Sequence, residues 1–325
     1  MLRKITFIAL AVALLAFAQP GFAQKTGKLH RIGVLMSGTP ASHKFFVNWF
    51  REGLSDLGYR EGKNYVMLNR WAMGKSKRLP VLMKELVRAK VDVIVINGSR
   101  SVRAAEKLRS PVPVVVGLSG RLFTTIPNFS RPNGNITGST YDPQALDPKR
   151  LALLKESLPK ARRFAYLFMP HTKNVIKDVE VVEASAEKLR VALQAHRVEN
   201  LRDIEGAFAS MAKQRVDAMI IRRSGLTIAH RMRLAELAIQ HKLPTLCDTG
   251  QFAEAGCLLT YTPDLRSMMR RAAVFVDKIL KGRKPADLPI DVVTRHKMVI
   301  NLKTAKALGI ILPSSILLQA TEVIE

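Results

Sequence analysis

The sequence predicts an α/β protein built from two doubly wound, Rossmann-like lobes. Short apolar runs such as residues 91–96 alternate with helical stretches, which is typical of parallel strands covered on both faces. The order of elements then repeats: VDVIVI at 91–96 returns as VDAMII at 216–221, and RIGVLM at 31–36 resembles RFAYLF at 163–168. A chain of 325 residues that is 47% hydrophobic can bury two cores. A single larger sheet is the alternative, because buried parallel strands resemble one another.

The first half of the chain alternates strands and helices throughout. We expect strands at 31–36, 65–71, 91–96, 112–118 and 135–141. The first helix follows Thr39-Pro40 and ends at Gly58, with its apolar residues spaced three and four apart. Further helices are expected at 79–87 and 101–108.

The second half begins the same order again. We expect helices at 149–157, 173–193, 204–212 and 228–241. Strands are expected at 164–168, 218–221 and 244–247. Two lobes of this kind imply a cleft between them.

The end of the sequence predicts one long helix and an extended segment that follows it. Its apolar face begins at Leu265, Asp264 can cap its start, Gly282 suits its C-terminal position and Pro285 prevents its continuation. The chain then continues through PADLPI into an extended run at 292–300 and a short helix at 304–308.

The first 23 residues have the layout of a secretory signal peptide. Arg3 and Lys4 precede an uncharged apolar run at 5–18, and cleavage fits best after Ala23, with Ala18 as the second choice. A membrane anchor is the alternative, but this run is shorter than the roughly 20 residues that a span requires. We therefore expect an exported, periplasmic protein.

The formal charge of +26 points to an acidic partner of some kind: a nucleic acid, an anionic lipid or an acidic ligand. The basic residues are scattered singly or in pairs, without a long run, a zinc motif or a recognition helix, so we expect no nucleic acid. Cys247 and Cys257 are the only cysteines, and their spacing alone leaves a disulfide open.

Several motifs resemble one family. They are Pro263-Asp264-Leu265, RRAAVFVDKILKG from 270, KPADLP from 284, VINLKTAKALG from 299, RPNGNITG from 131 and Lys149-Arg150-Leu151. Together they resemble the substrate-binding proteins of bacterial ABC importers, in the family that includes tryptophan-binding members. The resemblance implies a type I periplasmic-binding fold, in which a ligand sits between two lobes joined by a three-crossing hinge.

The resemblance also implies a division of the chain and a set of partners. Lobe 1 would comprise 28–141 and 257–284, lobe 2 would comprise 146–249 and 291–325, and the crossings would fall near 141–146, 249–258 and 284–291. The partners would be a small-molecule ligand and an inner-membrane ABC permease with its ATPase, and we expect a monomer. A sensor that reports to a signalling protein would share this fold.

Polar residues that follow the expected strands are the candidate ligand contacts, because the carboxyl ends of parallel strands border the cleft. Hydroxyls, amides and Arg222 can hold a carboxylate, Asp248 or Asp142 can hold an amine, and Tyr261 can supply an aromatic wall. An amino acid or a carboxylate is therefore the expected ligand, although the serines and asparagines are also typical helix caps. The full set is Ser37, Thr39, Asn97, Ser99, Ser119, Asp142, His171, Asn174, Arg222, Ser224, Asp248 and Tyr261.

Enzymatic activity is the less favoured hypothesis. Gly117-Leu118-Ser119-Gly120 is similar to a nucleophile elbow, which would make Ser119 the nucleophile of a secreted hydrolase, but Arg121 breaks the G-x-S-x-G pattern. The sequence has no Walker loop and no dinucleotide-binding motif, and its histidines are not paired at metal-ligand spacing. We expect neither catalysis nor a cofactor nor a metal.

Overall fold

The computed structural model describes residues 28–325, except 110, 121, 123–125, 127, 133, 171 and 172, and describes only the backbone of 143, 144, 173, 174 and 225. The expected signal peptide at 1–23 lies outside the described residues. Within them, no helix is both long enough and apolar enough to cross a membrane.

The first sheet and its helices are formed mainly by the first half of the chain. Its strands are β1 (His30–Met36), β2 (Tyr65–Trp71), β3 (Val93–Asn97), β4 (Val114–Ser119) and β5 (Ile136–Thr140). The helices between them are α1 (Pro40–Asp56), α2 (Leu79–Arg88) and α3 (Ser99–Leu108). All these strands pair in parallel, in the order β2-β1-β3-β4-β5.

The second sheet repeats this arrangement. Its strands are β6 (Arg163–Phe168), β7 (Ala192–Arg197), β8 (Ala218–Ile221), β9 (Thr245–Cys247) and β10 (Leu259–Pro263). Its helices are α4 (Pro143–Ser157), α5 (Lys173–Lys188), α6 (Leu201–Lys213), α7 (Gly225–Ala229), α8 (Arg231–Gln240) and α9 (Gly250–Ala255). The order β7-β6-β8-β9-β10 matches that of the first sheet, so the two-lobe prediction is confirmed and the single-sheet alternative is wrong.

The last elements return to both sheets. They are α10 (Leu265–Leu280), β11 (Asp291–Val292), β12 (His296–Asn301), α11 (Leu302–Ala307), α12 (Ser314–Leu317) and β13 (Glu322–Ile324). Strand β11 pairs with β5 in the first sheet, whereas β12 pairs antiparallel with β10 in the second. As predicted, the side chain of Asp264 accepts a hydrogen bond from the Ser267 N–H and caps α10.

Alternate strand residues face opposite layers, which places a core on each side of each sheet. In the first sheet, Ile32 and Val34 pack with α1 and α10, whereas Leu35 and Ile94 pack with α2 and α3. The second sheet is covered in the same way by two further cores. Both sheets are therefore buried on both faces, as their continuous apolar strands predict.

Two of the crossings differ in position from the sequence-based expectation. Strand β10 pairs in parallel with β9, so the chain leaves the second sheet after Pro263 and not at 249–258. The PADLPI segment stays with the first sheet because Leu288 and Ile290 are buried there, and the last crossing follows Val292 instead of lying at 284–291. The first crossing follows Thr140, close to the expected 141–146.

The expected helix at 173–193 is too long. Helix α5 ends at Lys188, Arg190 adopts a positive φ of 53°, and the chain turns into strand β7. Strand β7 lies at the edge of the sheet and is half exposed, so its sequence ALQAHR lacks the continuous apolar character of the inner strands.

Candidate functional site

A large cleft lies between the two lobes, at the carboxyl ends of their strands. Its volume is about 670 Å³, and both lobes supply its lining residues. The ends of β1, β3 and β4 border it from the first lobe, and the ends of β8 and β9 border it from the second. This is where doubly wound sheets bind ligands.

The structure brings most of the sequence-predicted site residues together in this cleft. Those that line it are Ser37, Thr39, Asn97, Ser99, Ser119, Arg222, Ser224 and Asp248. Tyr261 lies elsewhere: its ring stacks on His296 at a centroid distance of 5.1 Å and packs against a core of the second lobe. Asp142 is exposed and does not line the cleft. His171 and the side chain of Asn174 lie outside the described residues.

Two of the hydroxyl residues cap helices. Thr39 Oγ1 accepts a hydrogen bond from the Ser42 N–H at 3.2 Å, and Ser224 Oγ accepts one from the Thr227 N–H at 3.1 Å. Each bond satisfies one of the free N–H groups in the first turn of its helix, α1 or α7. The position of these hydroxyls at the cleft is thus fixed by local helix geometry.

His43 is a cleft residue that the sequence analysis missed. Its Nδ1 lies 2.8 Å from Ser42 Oγ, and its Nε2 lies 3.5 Å from Ser37 Oγ. Burial, and after it the positive charge of Arg223, lowers the pKa of His43 to about 4. The imidazole is therefore neutral at pH 7 and serves as a polar, uncharged wall.

Aromatic rings form one side of the cleft. Phe45 and Phe46 line it, with ring centroids 4.1 Å apart, and the Phe45 ring is supported by Trp49 at 4.8 Å. Tyr141 lines the cleft at the first crossing. The sequence signal for this wall was the pair of consecutive phenylalanines near the start of α1. These rings supply the aromatic wall that was expected from Tyr261.

Arg222 lies at the cleft, but its guanidinium is already engaged. Nη1 donates to Asp147 Oδ2 at 2.6 Å and to the Tyr166 hydroxyl at 2.9 Å, and Nη2 donates to Asp178 Oδ2 at 2.6 Å. Arg150 completes the network through an ion pair with Asp147. The sequence suggested that Arg222 binds a ligand carboxylate. In the structure its guanidinium binds two carboxylates of the second lobe instead.

The next residue, Arg223, has the opposite environment. It lines the cleft and makes no ion pair with any described residue; its nearest polar contact is the Tyr141 hydroxyl, 3.4 Å from Nη2. The charge of Asp248 acts on its guanidinium. Asp248 Oδ1 is itself buried and accepts no hydrogen bond from the described part of the chain. One unpaired cation and one orphaned carboxylate oxygen therefore face the same cavity.

Comparison with known proteins decides the family. The model for ABC transporter substrate binding proteins matches residues 32–324. The chain belongs to this family. Family membership confirms the predicted fold and the role of a solute receptor that works with an ABC transporter. Members of this family generally work outside the cytoplasm, and theirs is a binding function.

Relatives and solved structures are similar over most of this substrate-binding protein. A tyrosine-binding protein from Clostridioides difficile (strain R20291) is 21% identical over 261 residues, which cover 80% of this chain and 75% of the relative. An ABC domain from Streptococcus pneumonia, solved in complex with L-Trp, is 23% identical with a TM-score of 0.81, and the match covers 91% of this chain and all of that one. A conserved domain protein from Vibrio cholerae is 22% identical with a TM-score of 0.81, and the match again covers 91% of this chain and all of that one.

The disulfide that the sequence left open is formed in this family member. Cys247 ends β9 and is bonded to Cys257, just before β10. The loop that it closes contains helix α9 and begins with Asp248 and Thr249, which both line the cleft. The bond thus restrains the segment that carries the orphaned carboxylate.

Proposed function

We propose that this substrate-binding protein captures an amino acid in its interlobe cleft and delivers it to an ABC permease. The observation that carries the proposal is the pair formed by Arg223 and Asp248, which face one cavity and have no ion-pair partner among the described residues. A zwitterionic amino acid carries one negative and one positive charge, so it offers each member of this pair a partner of opposite charge. The ligand carboxylate would contact Arg223, and the ligand ammonium would contact Asp248.

Burial strengthens the case for these two contacts. An unpaired charged group at a half-buried position loses hydration without compensation, so a partner of opposite charge gains more there than at the surface. Asn97 and Ser37 are already joined by a backbone-to-side-chain hydrogen bond of 3.3 Å, which holds the first-lobe wall in place. This hydrogen bond therefore fixes the ends of β1 and β3 relative to each other.

The side chain of the ligand would lie against the wall formed by Phe45 and Phe46. Aromatic rings bury a large apolar surface and form favourable contacts with other rings. Two relatives support the amino-acid class, one named as a tyrosine-binding protein and one solved with L-Trp. Since these relatives are less than 25% identical to this chain, the choice among amino acids depends on the residues of its own cleft.

Delivery would depend on closure of the two lobes. The chain passes between the sheets three times, and the cleft residues are divided between the two sides. A ligand that contacts both walls would favour the closed arrangement, which the permease would recognise. We further propose that the chain acts as a monomer in the periplasm after removal of residues 1–23, which the charge layout of that segment supports.

A thermal-shift screen of the twenty amino acids tests the proposal. A bound amino acid at a hundredfold excess over Kd stabilises the folded state by about 2.7 kcal/mol. Asp248→Asn should remove most of that shift, because the ammonium loses its charged partner. Glu254→Gln is the matched control, since it removes one negative charge from the exposed face of α9. No shift with any amino acid, or an equal shift in Asp248→Asn, would contradict the proposal.

A further inference from the structure

The charged lining of the cleft is strongly unbalanced. The arginines in it are Arg100, Arg103, Arg150, Arg222, Arg223 and Arg231, and the only acidic residues among the described lining residues are Asp147 and Asp248. No lysine and no glutamate occurs among the lining residues that the structure describes. The excess of positive charge therefore comes from arginines, whose charge is permanent.

Part of this charge is cancelled within the second lobe. Asp147 pairs with both Arg150 and Arg222, and Asp178 pairs with Arg222. Two carboxylates and two guanidinium groups leave this network neutral. The charges that remain are those of Asp248 and four arginines.

None of these four arginines has an anionic partner in the described part of the chain. Arg100 donates to the Ser76 hydroxyl at 2.8 Å, and Arg231 donates to the Ile228 carbonyl at 3.1 Å. Among the described residues, Arg223 donates a hydrogen bond to the Tyr141 hydroxyl. These partners are neutral oxygens, so the positive charges stay uncompensated. Arg103 lies one helical turn beyond Arg100 on α3 and forms no ion pair with a described residue.

The four arginines are divided between the two walls. Arg100 and Arg103 belong to the first lobe, and Arg223 and Arg231 belong to the second. Closing the cleft brings these like charges closer while excluding water, which strengthens their repulsion. A neutral zwitterion satisfies Arg223 and Asp248 but leaves three cations. A ligand with a further negative group would offset the repulsion between these arginines.

We infer that the solute of this receptor is an amino acid whose side chain carries a carboxylate or a phosphate, bound by the arginines Arg100, Arg103 and Arg231. This inference rests on the proposed amino-acid function and adds the charge class of the ligand. The α-carboxylate and the ammonium occupy Arg223 and Asp248. The side-chain anion lies toward the arginines of α3 and α8, where guanidinium groups can bind it in a bidentate manner.

Calorimetric titration with two matched ligand pairs tests the inference. The pairs are L-glutamate with L-glutamine, and O-phospho-L-tyrosine with L-tyrosine. The anionic member of at least one pair should bind about tenfold tighter or more, the effect of one hydrogen bond between charged groups. Which pair shows the preference distinguishes a carboxylate from a phosphate. Raising the salt concentration should reduce the preference.

Single substitutions identify the residues responsible. Arg100→Gln, Arg103→Gln and Arg231→Gln should each reduce the preference for the anionic ligand. Arg88→Gln is the matched control, because Arg88 is exposed on α2 and lies outside the cleft. It removes the same charge and should leave the preference unchanged.

The outcomes separate the two proposals. If the neutral member of each pair binds as tightly as the anionic one, or if a neutral amino acid alone binds, the receptor function stands and the anionic class is wrong. A preference that persists in all three cleft variants also overturns the inference. If no amino acid binds, both proposals fail.

Discussion

Arg222 and Arg223 are adjacent in sequence and have opposite roles in the structure. Arg222 points into the second lobe, where Asp147, Asp178 and Tyr166 surround its guanidinium. Burial, and then the Asp147 carboxylate, raises the pKa of Tyr166 well above its ordinary value, so this hydroxyl remains a hydrogen-bond donor. We assign Arg222 to stability and Arg223 to binding.

Arg222→Ala should therefore destabilise the folded protein. It leaves Asp147 and Asp178, which are nearly fully buried, without their shared cation, at a cost of about 3–5 kcal/mol. Arg223→Ala should cost much less, because Arg223 forms no ion pair with a described residue and donates only a long hydrogen bond of 3.4 Å to the Tyr141 hydroxyl. Urea unfolding of both variants measures the difference. Equal loss of stability in the two would show that the network does not distinguish them.

His43 should make the stability of the protein depend on pH. Its pKa is about 4 in the folded state and about 6.5 in the unfolded chain, so the unfolded chain binds more protons between these values. The free energy of unfolding should therefore fall as the pH drops from about 6.5 to about 4, by about 1–3 kcal/mol from this residue.

Denaturant titrations at pH 7 and pH 4.5 check this dependence. His43→Gln keeps a polar side chain but does not titrate, so its stability should fall less over the same range. His196 and His296 also have lowered pKa values, and they are present in both proteins. Parallel pH profiles for the variant and the parent would rule out the assignment to His43.

At the scale of elements, the contact between α1 and α10 ties the end of the chain to the first lobe. A Cβ on Gly53 would lie 2.6 Å from the backbone oxygen of Arg270, so glycine allows the two helices to approach closely. Exposed pairs join Glu52 to Arg266 and to Arg270 across the same interface. The close packing holds α10 in place after the crossing that follows Pro263.

Gly53→Ala should destabilise the protein by about 1–3 kcal/mol, because the new methyl group meets backbone atoms that cannot rotate away. Gly206→Ala on α6 is the matched control: its Cβ would meet nothing within 4 Å. That variant should be more stable by about 0.5–1 kcal/mol, since alanine restricts the unfolded chain. Thermal unfolding of the two variants should give shifts of opposite sign, and shifts of the same sign would refute the packing argument.

Sequence patterns predict the two lobes well and the positions of the crossings between them poorly. The inner strands are continuous apolar runs, and their repeated order is visible without a structure. The crossings depend on which sheet accepts short segments such as β11, and on the burial of Leu288 and Ile290, which local periodicity does not encode.

The site was predictable in position more than in role. Polar residues after strands lie at the cleft because parallel strands end there. The choice between Arg222 and Arg223 was not predictable, since it depends on Asp147 and Asp178, which reach Arg222 from distant helices. Tyr261 lies away from the cleft because alternate residues of a strand face opposite sides of the sheet. Tyr261 packs against a core of the second lobe, whereas its neighbour Thr262 lines the cleft.

Closure of the two lobes around a ligand can be measured as a change in the distance between them. Lys75 and Met232 are exposed and adjoin cleft residues of the first and second lobes, Ser76 and Arg231. The cysteines are paired in the disulfide, so Lys75→Cys and Met232→Cys provide specific sites for spin labels. Pulsed electron paramagnetic resonance with the amino acid that gives the largest thermal shift should show a shorter and narrower distance distribution. An unchanged distribution at saturating ligand would show that the lobes do not close around it.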